Sequence, residues 1–221
     1  MPLYYVETDG KLLLREQEGQ LGFPESENQL DFEIQPLETM HIKGQKVVYS
    51  LPLLDHHPEQ WVNKDDIPLM PDIHPIVREA VQCTFPRLVV EAVIERESKI
   101  MLVQPRRGYN AGKWTLPGGF LVYGESPERA VKREVEEEVG VELDLGPLLN
   151  TFSHMGGENN YHWLLFFYQG VLPPEADEPT PNHEISEIRW FDRKQAPAEI
   201  WSPLMAEGLE QIVEENASFE N

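Results

Sequence analysis

The chain has 221 residues, with 39 acidic against 18 basic side chains and a formal charge of −21 at pH 7. So large an acidic excess excludes a protein that works by coating nucleic acid or an anionic membrane, since both need a basic face. An apolar share of 40% excludes a disordered chain, and the lone cysteine, Cys83, excludes an intrachain disulfide or a four-cysteine zinc site. The densest apolar stretch, residues 163–168, is too short to span a bilayer, and the N-terminus has no basic segment leading into an apolar one. A soluble, cytoplasmic protein that binds neither bulk nucleic acid nor membrane is expected.

In chain order, the first third reads as short strands broken by turns. Segments 3–6 and 12–15 flank Thr8-Asp9-Gly10, a hairpin signal because Gly, and Asp less readily, tolerates the positive φ of a tight turn. Strands are expected at 30–34 and 46–53, and a short helix at 75–82. Residues 1–85 are thus predicted to form a small β-rich domain with a connector, ahead of a second domain over 86–221.

The second domain opens with a predicted hairpin, 87–95 and 99–104, followed by a loop over 105–113. A segment over 114–122 then carries Pro117-Gly118-Gly119. The strongest helix signal comes next. Ser126 is a good N-cap, Pro127 suits the first helical position, Glu128 lies in the first turn, and Gly140 marks the end. Strands at 141–152, 162–171 and 185–191 and an amphipathic helix at 203–215 complete a mixed α and β pattern, with an acidic, proline-rich loop at 173–181.

Inside the helix, Glu134, Glu137 and Glu138 fall within about a 100° arc, beside an apolar stripe of Val131, Val135 and Val139. A Glu run standing alone is usually a solvated face. Here Glu134 and Glu138 are like charges at i,i+4, which destabilises a bare helix and calls for an offsetting cation. Oxygen ligands on a rigid helix suit a hard divalent ion, Mg²⁺ before Zn²⁺. His154, His162 and His183 lie on different elements, and His56-His57 sits in a polar stretch, so neither group offers zinc spacing.

The order Gly119, five residues, Glu125, seven residues, then Arg133-Glu134-Val135-Glu136-Glu137-Glu138-Val139-Gly140-Val141 resembles the Nudix box at every fixed position, and Trp114 to Gly119 looks like the segment that leads into it. The resemblance implies an α/β/α sandwich with a mixed sheet, of the α+β class, behind the small N-terminal β-rich domain. It also implies hydrolysis of the diphosphate bond in a nucleoside diphosphate linked to another group X. Carried onto this chain, it makes Glu134, Glu137 and Glu138 metal ligands or base. Arg133 orients Glu134, Glu125 supports the metal site, and the Gly118 carbonyl completes it. Mg²⁺ is the implied cofactor, with Mn²⁺ as the alternative. The base is Glu134 or a downstream acid, Glu184 or Glu187.

For the substrate, Arg106 and Arg107 are candidates to grip phosphate, and Tyr109 and Trp163 to stack on a base. Phe152 and Tyr161 are further aromatics of the same kind. ADP-ribose or a related nucleotide sugar is the favoured small-molecule substrate, although the proline that often follows the box in ADP-ribose hydrolases is absent around residues 155–157. The alternatives are an NADH or dinucleoside polyphosphate pyrophosphatase, whose zinc ribbon is missing here, and a nucleotide-sensing regulator without catalysis. An N-terminal β-unit ahead of such a domain often serves homodimerisation in that group.

Overall fold

The computed structural model describes residues 1–156 and 161–217. It divides into two compact units, Met1–Pro86 with Met155–His162, and Arg87–His154 with Trp163–Asn221.

The first unit holds strands β1 (Leu3–Thr8), β2 (Lys11–Leu12), β3 (Arg15–Gln17), β4 (Gln20–Gly22), β5 (Ile34–Ile42), β6 (Gln45–Pro52) and β7 (Val62–Asn63), and helix α1 (Pro75–Thr84). Its main sheet runs β5-β6-β1-β2-β7, with β1 and β6 parallel, while β3 and β4 form a hairpin of their own. The Asp9-Gly10 reversal occurs as expected, with φ of 50° and 69°. The expected strand at 12–15 is interrupted: pairing stops at Leu12 because Leu12 and Leu13 are both buried, which breaks the period of two, and Arg15 opens the next hairpin. The strand expected at 30–34 is likewise displaced. Glu27–Gln29 forms a 3₁₀ turn, and extended structure begins at Ile34 and runs to Ile42. The cause is the reversal at Lys43-Gly44, both at positive φ, which sets Ile42 opposite Gln45 and Ile34 opposite Pro52.

Helix α1 begins with Pro75 at its first position and the His74 ring accepting from the Ile76 N–H. It buries Val77, Ala80, Val81 and Cys83 in one core with Tyr5, Phe23, Met40 and Ile73. One acid is sequestered beside this core. Glu7 accepts from the Tyr5 hydroxyl at 2.8 Å and from Lys64 Nζ at 3.1 Å.

The second unit holds β8 (Arg87–Arg96), β9 (Lys99–Pro105), β10 (Gly118–Phe120), α2 (Pro127–Val139), all but the ends of β11 (Asp144–Gly156) and β12 (Tyr161–Val171), β13 (Ile185–Asp192), α3 (Ala196–Glu199) and α4 (Pro203–Ala217). The sheet order is β11-β12-β8-β9-β13, mixed because β8 runs parallel to β12 and antiparallel to β9, and β10 pairs with β8 off this path. Alternation along β8 sends Val90, Ala92 and Ile94 into a core with Ala130, Val131, Val135 and Val139 of α2. Val93 goes to the opposite core, with Phe167 of β12 and Met205, Leu209 and Ile212 of α4. The sheet is therefore covered on both faces, an α/β/α sandwich. Each fully buried valine on α2 contributes about 1.5–3 kcal/mol of transfer free energy, which anchors the helix while its acidic side stays clear of the core. Among the described residues no helix is long and apolar enough to cross a membrane.

Candidate metal-dependent active site

The site is built where β10 lies against β8 and α2. Ser126 caps α2 by accepting from the Arg129 N–H, and Gly140, at φ 72°, ends it while its N–H donates to the Glu136 carbonyl. Just before β10, the Pro117 carbonyl accepts from Ala92 N–H at 2.8 Å, whereas the Gly118 N–H, on β10, donates to Glu138 Oε2 at 3.0 Å. Two glycines make this approach feasible. A β-carbon on Gly118 would collide with the Val90 carbonyl and lie 2.7 Å from Glu91 Oε2, and one on Gly119 would lie 2.6 Å from the Glu134 carboxyl group.

Arg133 is the hub of the acidic face. Its Nε and Nη2 donate to the two oxygens of Glu125 at 3.0 and 2.9 Å, and its Nη1 donates to Glu134 at 2.8 Å and Glu137 at 3.0 Å. Nη2 also reaches the Phe120 carbonyl at 3.1 Å, so one guanidinium ties three carboxylates to the loop after β10. The hydrogen bonds to Arg133 hold the Glu125 carboxyl below its usual range. Burial pushes Glu134 upward, with Arg133 opposing. Burial also pushes Glu138 up to about 8, against the Gly118 N–H bond that favours its charged form, and the neighbouring Glu134 and Glu184 add to the rise.

Glu91, on β8 opposite Gly118, is 2% exposed, and its Oε2 has no hydrogen-bond partner among the described residues. Burial raises its pKa well above the carboxylate range, with Glu138 and Glu134 contributing. The sequence reading missed this residue, because a single Glu within Val-Val-Glu-Ala-Val-Ile carries no motif. The one available signal was a charge at a position where a strand covered on both faces calls for an apolar side chain.

The acidic, proline-rich segment after β12 is fastened to the C-terminal end of α2. Thr180 N–H donates to the Val139 carbonyl and Asn182 N–H to the Glu138 carbonyl, at 3.0 and 3.1 Å. Arg96 grips Glu178 with two hydrogen bonds, at 2.8 and 3.1 Å, and stacks 4.5 Å from the Trp190 ring centre. This path brings Glu184 close enough to act electrostatically on both Glu134 and Glu138. Glu187 is partly buried and ion-paired with Arg189.

The other sequence candidates divide. The Arg106 main chain adjoins Glu184, its N–H donating to the Glu184 carbonyl at 2.7 Å. The side chains of Arg106 and Arg107 are exposed, with no hydrogen bond or ion pair to the described residues. Tyr109 is exposed and meets Trp201 edge-on at 4.9 Å, with Lys113 Nζ 3.5 Å from the Trp201 ring centre. Trp163 is partly buried, its ring centre 6.0 Å from that of Phe120. Gly118, Glu125, Arg133, Glu134, Glu137 and Glu138 are thus gathered at one place with Glu184 beside them.

As the side chains lie, no three acidic, His or Cys groups among the described residues converge into a ready metal cage, because Arg133 draws Glu125, Glu134 and Glu137 onto itself. The donor set nonetheless fits a hard divalent cation in kind. It is all oxygen, and Glu138 and Glu91 have no cationic partner among the described residues.

Comparison with known proteins agrees with this geometry. The model of the NUDIX domain matches residues 85–212, more than half of the chain. An ADP-ribose pyrophosphatase from Methanocaldococcus jannaschii is 30% identical over 51% of this chain, which spans 65% of that protein's length. A CTP pyrophosphohydrolase from Escherichia coli is 44% identical over 49% of this chain and 77% of its own. The solution structure of the E. coli ORF135 protein superposes with a TM-score of 0.52 at 26% identity, covering 61% of this chain and 94% of that one. The matched residues contain the whole box, β10, α2 and the sheet that supports them, and the chain belongs to the Nudix hydrolase family.

Proposed function

We propose that the chain is a divalent-cation-dependent pyrophosphohydrolase that cleaves a nucleoside diphosphate joined to a second group, with ADP-ribose or a nucleotide sugar as substrate. The observation that carries this reading is the imbalance of charge at the site: one guanidinium holds three carboxylates, while Glu138 and Glu91 stay buried beside them without a cation among the described residues.

In this reading Glu134, Glu137, Glu138 and the Gly118 carbonyl hold Mg²⁺, or Mn²⁺ in its place, with Glu125 in support. The bound ion would neutralise phosphate oxygens and acidify a water. Glu134 accepts the proton of the water that attacks phosphorus, held in aim by its 2.8 Å bond from Arg133. Glu184 stands as the second candidate base, because its segment is tied to the end of α2 and its charge acts on Glu134. Glu187, committed to Arg189, is the weaker third. Arg106 and Arg107, with no side-chain partner among the described residues, are suited to the substrate phosphates, and Tyr109 and Trp163 to its base.

A second reading is favoured by the higher identity to the CTP pyrophosphohydrolase: a nucleoside triphosphate cleaved to a monophosphate and pyrophosphate. One panel decides between them. ADP-ribose, nucleotide sugars, NADH, dinucleoside polyphosphates and nucleoside triphosphates are incubated with Mg²⁺ or Mn²⁺, and the released products are read by chromatography. Turnover of ADP-ribose or a nucleotide sugar, lost in Glu137→Gln, supports the first reading. Turnover of CTP alone replaces it with the second, and no metal-dependent turnover of any member rejects both.

A further inference from the structure

We propose that Glu91 is an additional anionic member of the divalent-cation site, lying beneath Gly118 so that its unpartnered carboxylate oxygen supplies charge that the ion requires. The inference rests on the metal-dependent reading above and adds to it a residue outside the box.

The first support is position. Glu91 lies on β8 directly opposite Gly118, and its Oε2 approaches so closely that a β-carbon on Gly118 would be 2.7 Å away. The Gly118 N–H in turn binds Glu138 at 3.0 Å, so one glycine touches both acids. The second support is the absence of compensation among the described residues. Arg133 is committed to Glu125, Glu134 and Glu137, and no guanidinium, ammonium or hydroxyl reaches Glu91 Oε2. A buried polar group without a partner is costly, and a buried charge more so, unless something absent from the protein itself completes it. The third is what the fold would otherwise prefer. Residues 90, 92, 93 and 94 are all buried and apolar, so an apolar side chain at 91 would continue the packing. Retaining a carboxylate there makes physical sense if a cation arrives beside it, since outer-layer carboxylates tune a metal through the groups that hold it.

The test measures Mn²⁺ binding to the full chain without substrate, reading free Mn²⁺ by its electron paramagnetic resonance signal. Glu91→Gln removes the charge and keeps the shape, and Glu91→Met removes the charge and all hydrogen-bonding atoms. The affinity for Mn²⁺ should fall by about tenfold or more in either folded variant, and Glu91→Asp should recover part of it. The stabilisation of the fold by Mn²⁺, read as a shift in melting temperature, should shrink in parallel. Wild-type affinity in a folded Gln or Met variant overturns the proposal. So does failure of both to fold while Asp folds, because Glu91 would then serve the fold rather than the ion. The two readings fail separately. Normal Mn²⁺ binding by Glu91→Gln with nucleotide turnover in the wild type removes only this inference. Weakened Mn²⁺ binding with no turnover by the wild type removes only the proposed activity.

Discussion

Both units shelter acids, Glu7 half-buried in the first and Glu91 and Glu138 buried in the second, and they treat them in opposite ways. In the first, Glu7 is matched by a lysine and a tyrosine, and Lys64 further rests 4.9 Å from the Phe85 ring centre. In the second, among the described residues, Glu138 receives a single backbone N–H and Glu91 Oε2 receives nothing. A carboxylate completed by its own chain is a structural element, whereas one left incomplete beside other carboxylates is where the proposed reading puts the cation. Net charge follows a similar division: residues 1–86 carry 15 acids and six bases, while residues 87–172, which contain the box, carry 12 acids and nine bases. The acidity of the whole chain therefore reflects its flanks more than its candidate site.

Four measurements would break or sharpen this contrast. The largest effect is expected from Glu138→Gln. Metal-dependent turnover should fall by at least about 100-fold, while the melting temperature in chelator stays level or rises, because Gln replaces a buried carboxyl whose charged form burial disfavours. A fall in metal-free stability would mean that Glu138 belongs with Glu7 as a structural acid. Next, Arg133→Ala should cost about 10–100-fold in turnover, since Glu125, Glu134 and Glu137 lose the group that aims them. Steady-state kinetics over a Mg²⁺ titration would show whether the loss lies in aim or in ion affinity. For the first unit, Lys64→Met should lower unfolding free energy by about 1–3 kcal/mol and leave the Mn²⁺ affinity of the chain unchanged, measured by denaturant melts and metal titration. The smallest change is expected from Glu178→Gln, which breaks an exposed pair with Arg96 and should cost less than about 1 kcal/mol. A larger loss, or a drop in turnover, would make that pair a support for Glu184.

Much of the site was legible because its signals are local. Ser126, Pro127 and Gly140 bound α2 through backbone chemistry confined to a few residues, and the helical period alone places Glu134, Glu137 and Glu138 together. Local signals misled where two of them competed. The apolar residues near 30–34 suggested a strand, but the reversal at Lys43-Gly44 set the pairing of β5 further along the chain. Lys43 adopts positive φ there although it is not a glycine, and that is why the turn was overlooked.

By itself the sequence determined the box, the helix that carries it, the oxygen-only character of its candidate donors and the alternation of strands and helices, because spacing along a chain sets angles on a helix and faces on a strand. Tertiary structure alone decided that Glu91 sits under Gly118, that the segment leading to Glu184 is tied to the end of α2 while Glu187 pairs with Arg189, and that Arg133 gathers three carboxylates at once. Those relations join residues distant in sequence through strand register and a backbone tie, Asn182 N–H to the Glu138 carbonyl. Pairing of that kind depends on how whole elements pack, which no local pattern encodes.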